Sequence, residues 1–181
     1  TSVTTSASGS KTTGASVAVT VTMSEAVTTS ASATLTLETG TTDRNATCPA
    51  VTTSTTLTCT YTVVSGDTAS RLDYVATSAL ATSGTVSDAA GNSATLTLPA
   101  LGASGLYTAN IIVDTTAPSA PTATLTSTDS GTSGDRVTNV APVLGVTAES
   151  GSTVAVTATK DGSAFTLNTG LSSISGTGSA V

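Results

Sequence analysis

Ser16-Val17-Ala18-Val19-Thr20-Val21-Thr22-Met23 is the stretch that decides the fold. Val17, Val19, Val21 and Met23 fall on one face and small or hydroxyl residues on the other, the period-two pattern of a half-buried strand. The same alternation returns in Ala33-Thr34-Leu35-Thr36-Leu37 and in Ala94-Thr95-Leu96-Thr97-Leu98, and Ile111 to Val113 reads as a closing buried strand. Ser65-Gly66-Asp67, Asp88-Ala89-Ala90-Gly91-Asn92 and Leu101-Gly102-Ala103-Ser104-Gly105 separate these runs with turn chemistry. Leu72 to Leu80 is a less regular apolar stretch. About seven short strands with frequent turns predict a Greek-key β-sandwich over residues 1–114. Residues 1–14, rich in Ser and Thr with few apolar anchors, read as a weak first strand or a mobile arm.

Beyond that sandwich the chain reads Val113-Asp114-Thr115-Thr116-Ala117-Pro118-Ser119-Ala120-Pro121. Pro118 and Pro121 cannot donate to a ladder and hold the backbone extended, so 115–121 reads as a semi-stiff linker. Alternation resumes at Thr122-Ala123-Thr124-Leu125-Thr126 and again at Val143-Leu144-Gly145-Val146. Lys160-Asp161-Gly162 turns toward Phe165. Residues 122–181 are thus a second β unit. They are too few for a sandwich of about 100 residues, so this one lacks its closing strands.

The 181 residues are 38% apolar and 9% charged, with a net charge of -6, five basic residues and no His. Enough is apolar for a core, unlike a disordered chain. Aromatic residues are scarce, so that core is thin and calls for a staple. Nucleic acid is excluded as a partner, since no Lys/Arg cluster exists to meet phosphates. No apolar run approaches the ~20 residues of a membrane span. Catalysis is not expected either: a Ser or Cys nucleophile has no His base beside it. A carboxylate pair for glycoside cleavage would lack aromatic platforms. The chain opens on Thr1 without a signal peptide, which reads as a processed product or a piece of something longer.

Cys48 and Cys59 flank a polar turn around Thr53 and Ser54, the midpoint between them. An antiparallel hairpin there would bring the two side chains together as a disulfide, stabilising by about 3 kcal/mol in the chain-entropy model. Such a bond implies an oxidising, extracytoplasmic compartment. A metal site would want more Cys or some His; two unlinked buried thiols are the other alternative.

Met23-Ser24-Glu25-Ala26-Val27, Asp88-Ala89-Ala90-Gly91-Asn92 and Val113-Asp114-Thr115-Thr116-Ala117-Pro118 resemble the repeat signatures of the bacterial immunoglobulin-like (Ig-like) domains of large secreted surface adhesins. Asp129-Ser130-Gly131-Thr132-Ser133-Gly134-Asp135 and Ala148-Glu149-Ser150-Gly151-Ser152-Thr153-Val154 do so too. The resemblance spans nearly the whole chain. It implies an all-β fold of tandem Ig-like Greek-key β-sandwiches, the second incomplete within this chain. It also implies a non-catalytic extracellular stalk on the bacterial cell surface, serving cell adhesion and biofilm, often stiffened by calcium at domain junctions.

Calcium wants six to eight oxygens. If Ala94–Leu98 and Ile111–Val113 form a hairpin, Asp88, Asn92 and Asp114 share a pole of the first unit, and Glu149 returns to the start of the second. Those four residues are the expected junction calcium site. Glu25, placed like Glu149, is half a site for a preceding domain, and Asp129 with Asp135 is a weaker site. The bland reading of all of them is solvated turn residues. Asn45, in Asp43-Arg44-Asn45-Ala46-Thr47, is the chain's one Asn-x-Thr acceptor for glycosylation.

The expected role is a spacer whose partners are neighbouring Ig-like domains or identical subunits. The alternative is a self-assembling extracellular filament, in which a strand from a neighbouring copy completes the second sandwich.

Overall fold

In the first unit, alternation of apolar and hydroxyl residues becomes strand almost wherever it occurs. The computed structural model describes residues 1–126, 143–150, 152–155, 158–160, 163–165 and 178–179. The chain divides into two units, Thr1–Thr116 and Ala117–Val181; the boundary falls inside the Pro-spaced segment.

Unit 1 begins with β1 (Ser2–Thr5), β2 (Gly9–Lys11), β3 (Ser16–Thr29), β4 (Ala33–Glu38), β5 (Arg44–Cys48) and β6 (Ser54–Thr62). Short pieces follow: β7 (Thr68–Ala69), β8 (Asp73–Tyr74), β9 (Leu80–Thr82) and β10 (Val86–Ser87). The one-turn helix α1 (Gly105–Thr108) and β11 (Ile111–Asp114) complete it. The larger sheet runs β1-β3-β6-β5-β4-β8, with β10 also on β3 and β9 also on β4, and curls into a half-barrel. A second sheet runs β2-β11-β7, with β11 parallel to β2 and antiparallel to β7. One core lies within this unit, drawn from Val3 to Val113 and centred on Val17, Val19, Val21, Leu35, Leu37, Leu57, Tyr61, Leu106 and Ile111. The coarse expectation, an antiparallel all-β fold, is what forms.

Several details depart from the sequence expectation. Of the two readings of residues 1–14, the strand forms and the arm does not: β1 pairs with β3, and Val3 is 1% exposed. β2 meanwhile joins the other sheet. One apolar residue in the right register is enough to seat a strand whose other side faces water. β3 does not stop at Met23 but continues through Glu25 to Thr29. Its register against β6 shifts between Thr22 and Val27, a bulge that leaves Ser24 and Glu25 both exposed. Ala94–Leu98 keeps its inward-outward alternation but is not a strand. The Ala94 N–H to the Val86 carbonyl, the Leu98 N–H to the Thr77 carbonyl and the Thr1 hydroxyl to the Thr97 carbonyl tie it down. The turn at Leu101–Gly105 leads directly into α1, whose N-cap is Ser104. Gly105 sits there because a Cβ would stand 2.9 Å from Thr4 Cγ2 and 3.0 Å from the Val3 carbonyl oxygen.

Unit 2 has β12 (Thr122–Thr126), β13 (Val143–Thr147), β14 (Ala158–Lys160), β15 (Ser163–Phe165) and β16 (Gly178–Ser179). β13 lies between β12 and β16, antiparallel to both, and β14 pairs with β15 as a hairpin.

Candidate functional site

Cys48 ends β5 and Cys59 lies within β6, and the register Thr47↔Thr60 sets the two directly opposite one another. Both are fully buried and joined as a disulfide. The covalent staple therefore sits at the centre of the large sheet, where Val19 of β3 flanks Cys59 and Ala33 of β4 flanks Cys48.

A second fastening lies at the end of the unit where β6 leaves the sheet. Inward parity on β6 buries Leu57, Cys59 and Tyr61 in turn. A phenol so placed needs a hydrogen-bond partner. Asp67, only 1% exposed, supplies it: the Tyr61 hydroxyl donates to Asp67 Oδ2 at 2.7 Å. The Val64 N–H donates to the same oxygen at 3.0 Å, and Arg44 Nε donates to Oδ1 at 2.8 Å. Burial pushes the Asp67 carboxyl upward, but the Val64, Tyr61 and Arg44 hydrogen bonds and the Arg44 charge outweigh it, so it lies below its ordinary value. Burial, then the bond to Asp67, raises the Tyr61 phenol well above its ordinary value.

Asp73 plays the matching part near α1. Its Oδ2 accepts from the Gly102 N–H at 2.9 Å, and its Oδ1 from the Ser104 hydroxyl at 3.3 Å. Ser104 Oγ in turn accepts from the Tyr107 N–H. Sequence reading missed both aspartates, because each lies in or beside a turn where acid residues are ordinarily solvated. For Asp67 the available signal was an inward Tyr61 close to a strand end.

The expected metal ligands fall in different places. Glu25, on the β3 bulge, and the loop residues Asp88 and Asn92 line one cleft of about 250 Å³, together with Thr1, Met23 and Thr97. Asp88 is already engaged: Oδ1 accepts from the Ala90 and Asn92 N–H groups, and Oδ2 from Asn92 Nδ2, each at 2.8 Å. The Asn92 side chain is the chief cause that lowers its carboxyl below the ordinary value.

Asp114 stands at the opposite end of unit 1. It pairs with Thr68, beside the Thr39 carbonyl at the far end of β4, whereas β10 and the Asp88 loop adjoin Thr28 and Thr29 at the end of β3. The hairpin premise behind a shared pole fails because α1 intervenes and β11 pairs with β2 and β7 instead. In unit 2, Glu149 does return to the beginning of the unit, where its Oε2 accepts from the Ser119 N–H at 3.0 Å. Asp129 and Asp135 lie outside the described residues. Among the described residues no three acidic, Cys or His side chains converge as a metal-ligand group.

Asn45 is exposed on β5, and its Oδ1 accepts from the Thr36 hydroxyl at 2.8 Å. Among the described residues no helix is long and apolar enough to cross a membrane. Comparison with protein-family models, with characterised proteins and with solved structures gives no match.

Proposed function

We propose that the chain is a non-catalytic spacer of an extracellular bacterial surface protein, built from tandem Ig-like β units that separate a distal binding element from the cell. The observation that carries this reading is the buried Cys48–Cys59 bond at the centre of the larger sheet. A disulfide in that position fits an oxidising compartment, and it braces a thin core in which Val and Leu outnumber aromatics. The handover through Pro118 and Pro121 supports the tandem part of the proposal.

Calcium is a further component of the proposal. Glu25 and Asp88 bring two carboxylates to one cleft, and the Asn92 amide and the Thr hydroxyls add neutral oxygens. Calorimetric titration of metal-free protein tests it: heat of binding that Glu25→Gln and Asp88→Asn reduce is expected, and a flat trace at millimolar calcium rejects it.

The filament alternative is less favoured. Residues 1–14 are spent inside their own unit, β1 on β3 and β2 on β11. A donor strand taken from that segment would first have to break both pairings.

The experiment for the spacer reading is protease shaving of intact cells that produce the parent protein. Peptides of this chain released from the cell surface, with Cys48 and Cys59 still linked under non-reducing conditions, are the expected result. Recovery of the chain only from cytosol, with free thiols, overturns it.

A further inference from the structure

The two units begin alike. In unit 2, β12 pairs with β13 from Thr122↔Thr147 onward, with Ala123 opposite Val146. In unit 1, β1 pairs with β3 from Ser2↔Thr22 onward, with Val3 opposite Val21. Val146 and Ala148 are buried as Val21 and Met23 are, so Thr22-Met23 corresponds to Thr147-Ala148. An exposed glutamate follows in each unit. Glu149 comes directly after Ala148, and Glu25 comes one residue later than that, within the bulge between Thr22 and Val27. In unit 2 this glutamate has a partner: Glu149 Oε2 accepts from the Ser119 N–H at 3.0 Å and from the Ser119 hydroxyl at 3.3 Å. Ser119 stands three residues before Thr122, in the connector that leads into β12. Between Pro118 and Pro121 only Ser119 and Ala120 carry a backbone N–H.

The corresponding stretch of unit 1 has an unpaired edge. β1 covers β3 as far as Thr22, and β10 takes up the same edge at Thr28 and Thr29. β6 and the Val51 carbonyl hold the opposite edge, at Val27↔Ser54 and at the Thr29 N–H. Met23 to Val27 thus have no strand beside them on the β1 side. The cleft of about 250 Å³ lies there, lined by Thr1, Met23, Ser24 and Glu25 with Asn92 and Thr97 across from them. The Thr1 hydroxyl is tied to the Thr97 carbonyl at 2.6 Å. A backbone continuing the register of β1 ahead of Thr1 would run past Met23 and Ser24 to Glu25. We propose that Glu25 and this cleft seat the connector of a tandem neighbour. The occupant is an extended, Pro-spaced segment of the Ala117–Pro121 kind joined ahead of Thr1, with its serine N–H and hydroxyl on the Glu25 carboxylate. This rests on the tandem part of the spacer reading and adds what would fix a unit to the connector before it. Bonds from N–H and O–H groups to a carboxylate are strong for their kind, and the prolines keep the segment extended. The clamp needs no metal.

The test uses the full chain extended ahead of Thr1 by a copy of Thr115–Ala120. The copied serine then stands three residues before Ser2, as Ser119 stands before Thr122. Amide hydrogen exchange is followed by NMR in the presence of EDTA. The Ser119 amide is expected to exchange about tenfold more slowly than in Glu149→Ala, and the copied serine amide about tenfold more slowly than in Glu25→Ala. Glu25→Asp keeps the charge but withdraws the carboxylate by one methylene, so it is also expected to lose the protection. It serves in place of Glu25→Ala if thermal melting shows that variant to be unfolded. Equal exchange of the copied serine with and without Glu25 overturns the clamp, as does an unprotected Ser119. Either result leaves the spacer reading standing, since tandem units can be joined by free connectors. Recovery of the chain from cytosol with free thiols would overturn the spacer reading without altering the exchange rates.

Discussion

Asp67 is the residue on which the pH response of unit 1 turns. Its folded carboxyl lies below the ordinary value of 3.8, so its ionised form is favoured by folding. Its contribution to stability is complete above pH 3.8 and is lost as pH falls through the lower folded value. A falling melting temperature below about pH 4 is therefore expected, and Asp67→Asn should blunt that acid limb in thermal melts recorded across pH. Tyr61 acts in the opposite direction. Its phenol is raised from 10.0, so its contribution is complete below pH 10 and is lost as pH rises beyond it. Tyr61→Phe removes one of the donors to a buried carboxylate and should cost about 1–3 kcal/mol in a denaturant titration at neutral pH. An unchanged midpoint would show that water replaces the phenol without penalty. Neither role was legible from residue type: Ser65-Gly66-Asp67 has the composition of an ordinary turn. What makes Asp67 special is the bond it makes across the fold to Arg44.

At the scale of elements, legibility followed the source of the signal. Period two in Ser16–Met23 and Ala33–Leu37 was enough to find β3 and β4, since burial on one face enforces it. The symmetry of Cys48 and Cys59 about the Thr53–Ser54 turn placed them opposite each other before any pairing was visible. Periodicity could not distinguish Ala94–Leu98 from a paired strand, because the segment packs like one while most of its ladder bonds are missing. Nor could it find α1, one turn long, whose formation rests on Ser104 and Asp73 rather than on an apolar stripe. The metal ligands show the same division: the turn at Asp88–Asn92 was readable, but not the pole on which Asp114 falls, which follows from β11 lying beside β2. Two element-level predictions follow from packing. Gly105→Ala drives a methyl against Thr4 and the Val3 carbonyl; a loss of about 1–3 kcal/mol is expected, as for other overpacked sites. Replacing both Cys48 and Cys59 with Ala should lower stability by about 3 kcal/mol. Equilibrium unfolding of each variant checks the figures, and a gain in stability in either would contradict the packing described.

For the whole molecule, the decisive relation is between the core and the chain division. The buried cluster of unit 1 runs from Val3 to Val113, and the division follows three residues later, between Thr116 and Ala117. Both sheets of the unit close within that span: β11 supplies the central strand of the smaller one, and the disulfide lies wholly inside the larger. The last ties to the unit come from Thr115, whose hydroxyl donates to the Asp67 carbonyl and accepts from the Gly66 N–H. A unit with its own core, staple and sheet pairings has what independent folding requires. Residues 1–116 expressed alone should therefore melt cooperatively, at nearly the temperature of the corresponding transition in the full chain, and reduction of the disulfide should lower both midpoints by a similar amount. Light proteolysis should select 117–121, where Pro118 and Pro121 leave an exposed backbone without ladder bonds. If the isolated unit instead melted broadly or much earlier, stability would have to reside in coupling between units, as it does in repeat arrays dominated by their interfaces. The tandem-spacer reading would then have to place rigidity at the junction instead of within the unit.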